Sequence, residues 1–163
     1  MKSRAAVLTL SVLLALAVGV TGAQAAKKKL TGSYKGTAVA TSGGAKYGAT
    51  EFKISKDKLV SWSVGGAPQD CGPKGNGGNG TMNYGFTVAP NVLQAYGLKS
   101  KNVKLSSKNR LKFTYSQPGH KDKITVDVKF GKKSASGKVT QVAAEGEKNL
   151  QNCSGSAKFK IKK

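Results

Sequence analysis

From Gly32 onward, apolar residues recur at every second position, the period of a strand whose alternate side chains face opposite sides of a sheet. The clearest runs are Ile124, Val126, Val128 and Phe130, then Ala157, Phe159 and Ile161. Tyr34 with Ala38 and Ala40, Phe52 with Ile54, Val60 with Trp62 and Val64, Met82 through Val88, and Leu111 with Phe113 and Tyr115 repeat it. An α-helix needs apolar residues three or four apart, so these runs exclude a helical domain. One short exception is Asn91 to Gly97 behind Pro90, where Val92, Leu93 and Tyr96 share a helical face for a turn or two.

Between the runs stand residues that turn chains: Ser42-Gly43-Gly44, Gly65-Gly66, Gln117-Pro118-Gly119 and Gly131-Lys132-Lys133. Lys56-Asp57 and Lys108-Asn109 have the place and chemistry of hairpin turns. Pro73 to Gly80 (PKGNGGNG) is a low-complexity loop. About eight or nine strands follow, and turns at such short spacing predict an all-β, antiparallel two-sheet sandwich, jelly-roll-like, or a closed barrel. Residues 32–163 are long enough to make one such domain with its own core.

Residues 1–25 have a different character. Lys2 and Arg4 precede an apolar run from Ala5 to Val20, and Ala23-Gln24-Ala25 supplies small residues for cleavage, which reads as a secretory signal peptide. The run is shorter than the roughly 20 residues a spanning helix needs, so no stable membrane anchor is expected after processing. Residues 26–31 form a short basic lead into the domain. The expected location is outside the cytoplasm, secreted or in the cell envelope.

Export bears on the cysteines. Cys71 and Cys153 are the only two, and an even count in an oxidising compartment predicts a disulfide. Redox or metal chemistry suits them poorly, because there is no Cys-x-x-Cys pair and the single histidine cannot complete a zinc set. No cofactor and no metal are expected.

The formal charge is +21, and loss of Lys2 and Arg4 leaves about +19, which attracts anions. Beyond Arg4 the sole arginine is Arg110. Lysine is a hydrated point charge without the planar fork that reads bases and phosphates bidentately, so sequence-specific nucleic-acid recognition is not expected. Lysines also keep strand edges and faces soluble, which is the plainer account of their number.

Catalytic constellations are sparse. His120, in Pro118-Gly119-His120-Lys121, is the only histidine, and any histidine acid or base must be this one, with Asp122 two residues away. The acids are Glu51, Asp57, Asp70, Asp122, Asp127, Glu145 and Glu147, and none is singled out as a pair facing across a cleft. Asp127, out of phase with Val126 and Val128, is expected to be solvated and paired with lysine. Gly75 to Gly80 lacks the Gly-Lys-Ser/Thr ending of a phosphate-cradling loop. Trp62, Tyr84 and Tyr115 are in phase with core residues, which leaves Tyr47 and Tyr96 as the aromatics for ligand contact. Asn79-Gly80-Thr81 and Asn152-Cys153-Ser154 match the glycosylation acceptor pattern.

Gly32-Ser33-Tyr34-Lys35-Gly36-Thr37, Phe52-x-Ile54, Lys58-Leu59-Val60, Cys71-Gly72, Gly137-Lys138-Val139 and Cys153-Ser154-Gly155 leading to Phe159 stand in a familiar order. In these the chain resembles small secreted bacterial β-sandwich domains of uncharacterised function. The resemblance implies an all-β fold and a disulfide between the two cysteines, and carries over no binding or catalytic residue.

The expected function is therefore non-enzymatic: an extracellular or envelope protein that binds an anionic polysaccharide or other envelope polyanion through lysine-rich strand faces. Lys158, Lys160 and Lys162, alternating with Phe159 and Ile161, are the foremost contacts, joined by Lys129 and Lys112. The alternative is a polysaccharide hydrolase or lyase using His120 and a nearby carboxylate. A protein-binding loop at Pro73 to Gly80 is a third reading.

Overall fold

The computed structural model describes residues 28–40, 46–71, 78–119, 121–142 and 153–163. Eight strands form among them: β1 (Gly32–Ala40), β2 (Lys46–Ser55), β3 (Lys58–Cys71), β4 (Gly78–Thr87), β5 (Arg110–Tyr115), β6 (Lys123–Phe130), β7 (Ser134–Val142) and β8 (Cys153–Lys162). A single short helix, α1 (Pro90–Ala95), falls where Pro90 can open it. The β2–β3 turn places both Lys56 (φ 48°) and Asp57 (φ 64°) in the left-handed region, as a two-residue turn matched to strand twist requires.

All strands pair antiparallel in one sheet, in the order β4, β3, β2, β1, β8, β7, β6, β5. Two four-stranded meanders are thus joined where the first strand meets the last, with Ala38 opposite Phe159 and Val39 opposite Lys158. The expected two-sheet sandwich does not form, because β1 bonds to β2 on one side and β8 on the other and leaves the ladder unbroken. The sheet instead rolls into a half-barrel. Across its interior Trp62 of β3 meets Phe113 of β5 at 6.0 Å between ring centroids, and Phe86 of β4 meets Tyr115 at 5.6 Å.

The roll stops short of the closed barrel. No ladder joins β4 to β5 among the described residues, and α1 with the chain after it covers the gap, burying Leu93, Leu98, Val103 and Leu105. It is tied to the β2–β3 turn by Leu59 N–H to the Val103 carbonyl (2.9 Å) and Leu105 N–H to the Asp57 carbonyl (2.8 Å). Asp57 also accepts from the Leu30 N–H at 2.6 Å, so one turn residue holds three segments.

Three details of strand reading change. Gly65-Gly66 is no turn: it lies inside β3, where the register slips between Val64 and Ala67. Gly48 of β2 packs so closely there that a Cβ on it would come within 3.0 Å of the Gly65 carbonyl carbon. Past this bulge β3 leaves β2 and pairs with β8, Asp70 opposite Ser154 and Cys71 opposite Cys153. Val60 is likewise the extra residue of a bulge, since Lys53 faces Ser61 while Ile54 faces Leu59; it stays 40% exposed and Leu59 takes its place inside. The glycine loop is shorter than expected, because Gly78, Asn79 and Gly80 belong to β4.

The core fills the concave side. Tyr34, Phe52, Trp62, Tyr84, Phe113, Tyr115, Phe130 and Phe159 are all buried, with Val64, Leu111, Ile124, Val126, Val128, Val139 and Ile161 between them. Phe52 bridges the two meanders, stacking near Trp62 at 5.8 Å and Phe159 at 5.3 Å. Burying rings of this size supplies much of the driving force, roughly 25 cal/mol for each Å² removed from water.

Candidate functional site

Because the inside of the roll takes the apolar residue of each alternating pair, the convex side takes the other. On β8 those are Ser154, Ser156, Lys158, Lys160 and Lys162, and the three lysines are all exposed. On β6 they are Lys123, Thr125, Asp127 and Lys129; on β5, Arg110, Lys112 and Thr114. The register then fixes the neighbours. One row across the sheet reads Lys112, Asp127, Lys138, Lys158, and the next reads Arg110, Lys129, Ser136, Lys160. A third places Ser134 and Lys35 on either side of Lys162. All five lysines expected to contact a polyanion thus share one convex surface, with Lys35 and Lys138 added between them.

Two acids border this surface, and each is engaged. Arg110 grips Asp127 with both Nε (2.6 Å) and Nη2. That fork, more than the attraction of Lys112 and Lys138, holds the Asp127 carboxyl below its ordinary range against a smaller opposing effect of burial. The same contact raises the Arg110 guanidinium. Asp127 is therefore paired with arginine and not with lysine as expected: the lysines are its direct register neighbours, but only the guanidinium offers two parallel donors. Glu51 accepts from Ser33 Oγ at 2.6 Å and lies 3.5 Å from Lys35 and 3.9 Å from Lys53. Its carboxyl is lowered first by the Ser33 bond and then by the two lysines. No ion pair among the described residues involves Lys158, Lys160 or Lys162.

The surface is shallow. Two depressions flank Asp127, one of about 300 Å³ lined by Arg110, Lys129, Ser136 and Lys138, the other of about 290 Å³ lined by Lys112, Thr125, Lys138 and Thr140. A hollow of about 610 Å³ at one end of the roll is also cationic, with Lys28, Lys29, Lys132 and Lys163 in its wall. Asp127 is the sole carboxylate lining any of these.

Asp122 lies elsewhere, and deeper than a turn residue should. It is 4% exposed and accepts from Gln141 Nε2 at 2.7 Å, while Gln141 Oε1 accepts from the Tyr84 hydroxyl. This buried chain ties β4 to β7 through side chains, a role in holding the fold. Burial, then the neighbouring Tyr96 and Tyr84, pushes the Tyr115 phenol far up. Tyr96, expected to be open to ligand, packs on Phe86 at 5.1 Å and Tyr115 at 4.9 Å and belongs to the cover over the β4–β5 gap. Trp62 Nε1 and Thr50 Oγ1 are buried without a hydrogen-bond partner.

Residues 1–27, and with them the expected signal peptide, lie outside the described residues, as do His120, Glu145 and Glu147 and the side chains of Tyr47, Cys71, Asn79 and Cys153. Among the described residues no cluster of three or more His, Cys, Asp or Glu could hold a metal, and no helix is long and apolar enough to cross a membrane. No protein-family model, curated protein or solved structure matches the chain.

Proposed function

We propose that this chain is a secreted, non-enzymatic envelope or extracellular protein that binds anionic polymers on the convex face of its half-barrel. The observation that carries the reading is the outward lysine row of β8, flanked by Lys35 and Lys138 and backed by Lys129 and Lys112, with Asp127 held by Arg110 and Glu51 by Lys35 and Lys53, so that neither acid pairs with the β8 row. Lysines spread evenly over the surface would serve only solubility; grouped on one face they concentrate the field there. A shallow, solvent-exposed lysine surface suits a long flexible polyanion better than a small substrate that needs enclosure. The fold is stapled by a Cys71–Cys153 disulfide formed on export, a reading supported by the two residues standing directly opposite in the β3–β8 ladder, where antiparallel Cα separations of roughly 4.5–5.5 Å suit the bond.

The test is retention of the processed protein on an immobilised anionic polymer. It should fall steeply between about 50 and 200 mM salt, as bound counterions are released and charges screened. Lys158→Gln, Lys160→Gln and Lys162→Gln together should weaken it, and His120→Ala should leave it unchanged. Salt-independent binding to a neutral glycan, or turnover abolished by His120→Ala, would replace this reading with the enzymatic one.

A further inference from the structure

Resting on that reading, we infer that the polymer is a phosphodiester-linked polyol chain, of the poly(glycerol phosphate) kind, laid along β8. Alternate residues of an antiparallel strand stand about 6.8 Å apart, so Lys158, Lys160 and Lys162 form a straight row with that repeat. Successive phosphates of a glycerol phosphate chain are separated by roughly six backbone bonds, as are alternate residues of a peptide, and when extended they repeat at about 7 Å. One phosphate can therefore meet each lysine in step. A glycan carrying one carboxylate per ring and an inorganic polyphosphate have different spacings and fall out of step within a few units.

The neighbours of the row support the same occupant. Lys162 has Lys35 on one side and Ser134 on the other; Lys158 has Lys138 beside it, and Lys160 lies between the strands that carry Ser136 and Thr37. Lysines directly opposite each other repel, and Lys35 with Lys162 and Lys138 with Lys158 are two such pairs, each relieved by an anion placed between them. Hydroxyl side chains at the intervening positions can bond to polyol oxygens. Single-stranded nucleic acid has the same phosphate repeat, but its binders offer aromatic platforms for bases, and no outward position of β5, β6, β7 or β8 is aromatic.

The experiment compares binding of the processed protein to poly(glycerol phosphate), polygalacturonate, polyphosphate and oligo(dT), matched in charge number, at one salt concentration. Poly(glycerol phosphate) should bind about tenfold tighter than the others, the effect of one or two additional charge-assisted contacts. A variant that moves one lysine off the row but keeps it on the same face, Lys160→Thr with Thr140→Lys, keeps the net charge and leaves the middle phosphate unmet. It should lose the preference while binding polygalacturonate as before, its fold checked by circular dichroism. Equal affinity for all four polymers, or a preference unaffected by the move, would overturn the polyol phosphate assignment and leave charge binding standing. Tightest binding to oligo(dT) would overturn it in favour of nucleic acid. Failure to bind any of the four would remove the functional reading itself.

Discussion

Asp127 stands opposite Lys112 and Lys138 in the ladder, yet its carboxylate goes to Arg110, and that choice leaves the lysines unpaired. Asp127→Asn should release Arg110 and add a unit of positive charge to the face, so retention on an anionic polymer should persist to higher salt. Because the folded carboxyl titrates below its unfolded value, the pair contributes stability above about pH 4 and loses it as pH falls through the folded value. The small stability difference between wild type and Asp127→Asn should therefore close in acid, as read by thermal melts from pH 7 to pH 2. Thr50 is the opposite case: its hydroxyl is buried with no partner. Thr50→Val should raise unfolding stability by about 1 kcal/mol in urea titrations, since it removes an unmet polar group and keeps the shape. A loss of similar size would show that the hydroxyl is satisfied by bound water. Apart from the bulge at Val60, period-two phase already predicted which residues face inward, and it extended further than residue type suggested. Asp122 is in phase with Ile124 to Phe130, and Gln141 with Ala135 and Val139, so their burial was legible in position although polarity argued against it.

Strand existence and the Lys56-Asp57 turn were readable because alternation and turn chemistry are local. Bulges were not. Val60 and Gly65 interrupt β3 only through its pairing with β2 and β4, and nothing within β3 alone distinguishes a glycine bulge from a turn. That bulge has a large consequence, since beyond it the end of β3 leaves β2, pairs with β8 and sets Cys71 opposite Cys153. The bond proposed there would close a loop of about 82 residues, worth roughly 4.5 kcal/mol in the chain-entropy account. Reduction, or replacement of both cysteines by alanine, should lower the denaturant midpoint accordingly. Two alkylatable thiols in freshly secreted protein would contradict the bond.

At the scale of the whole molecule, the pairing of β1 with β8 was beyond the sequence, because both a sandwich and a barrel can be built from the same alternating strands. It is also what makes a face. A single rolled sheet has one convex side, and every outward lysine from β5 to β1 is placed on it, whereas two packed sheets would divide them. The lysines were legible as a list, and their union was not. The most direct measurement of the central claim is lysine reactivity toward an acylating reagent, mapped by mass spectrometry with and without bound anionic polymer. Lys112, Lys129, Lys138, Lys158, Lys160 and Lys162 should be protected together, while Lys56, in the turn between β2 and β3, should react as in the free protein. Equal protection of all lysines, or protection centred on Lys56, would contradict a binding face on the half-barrel.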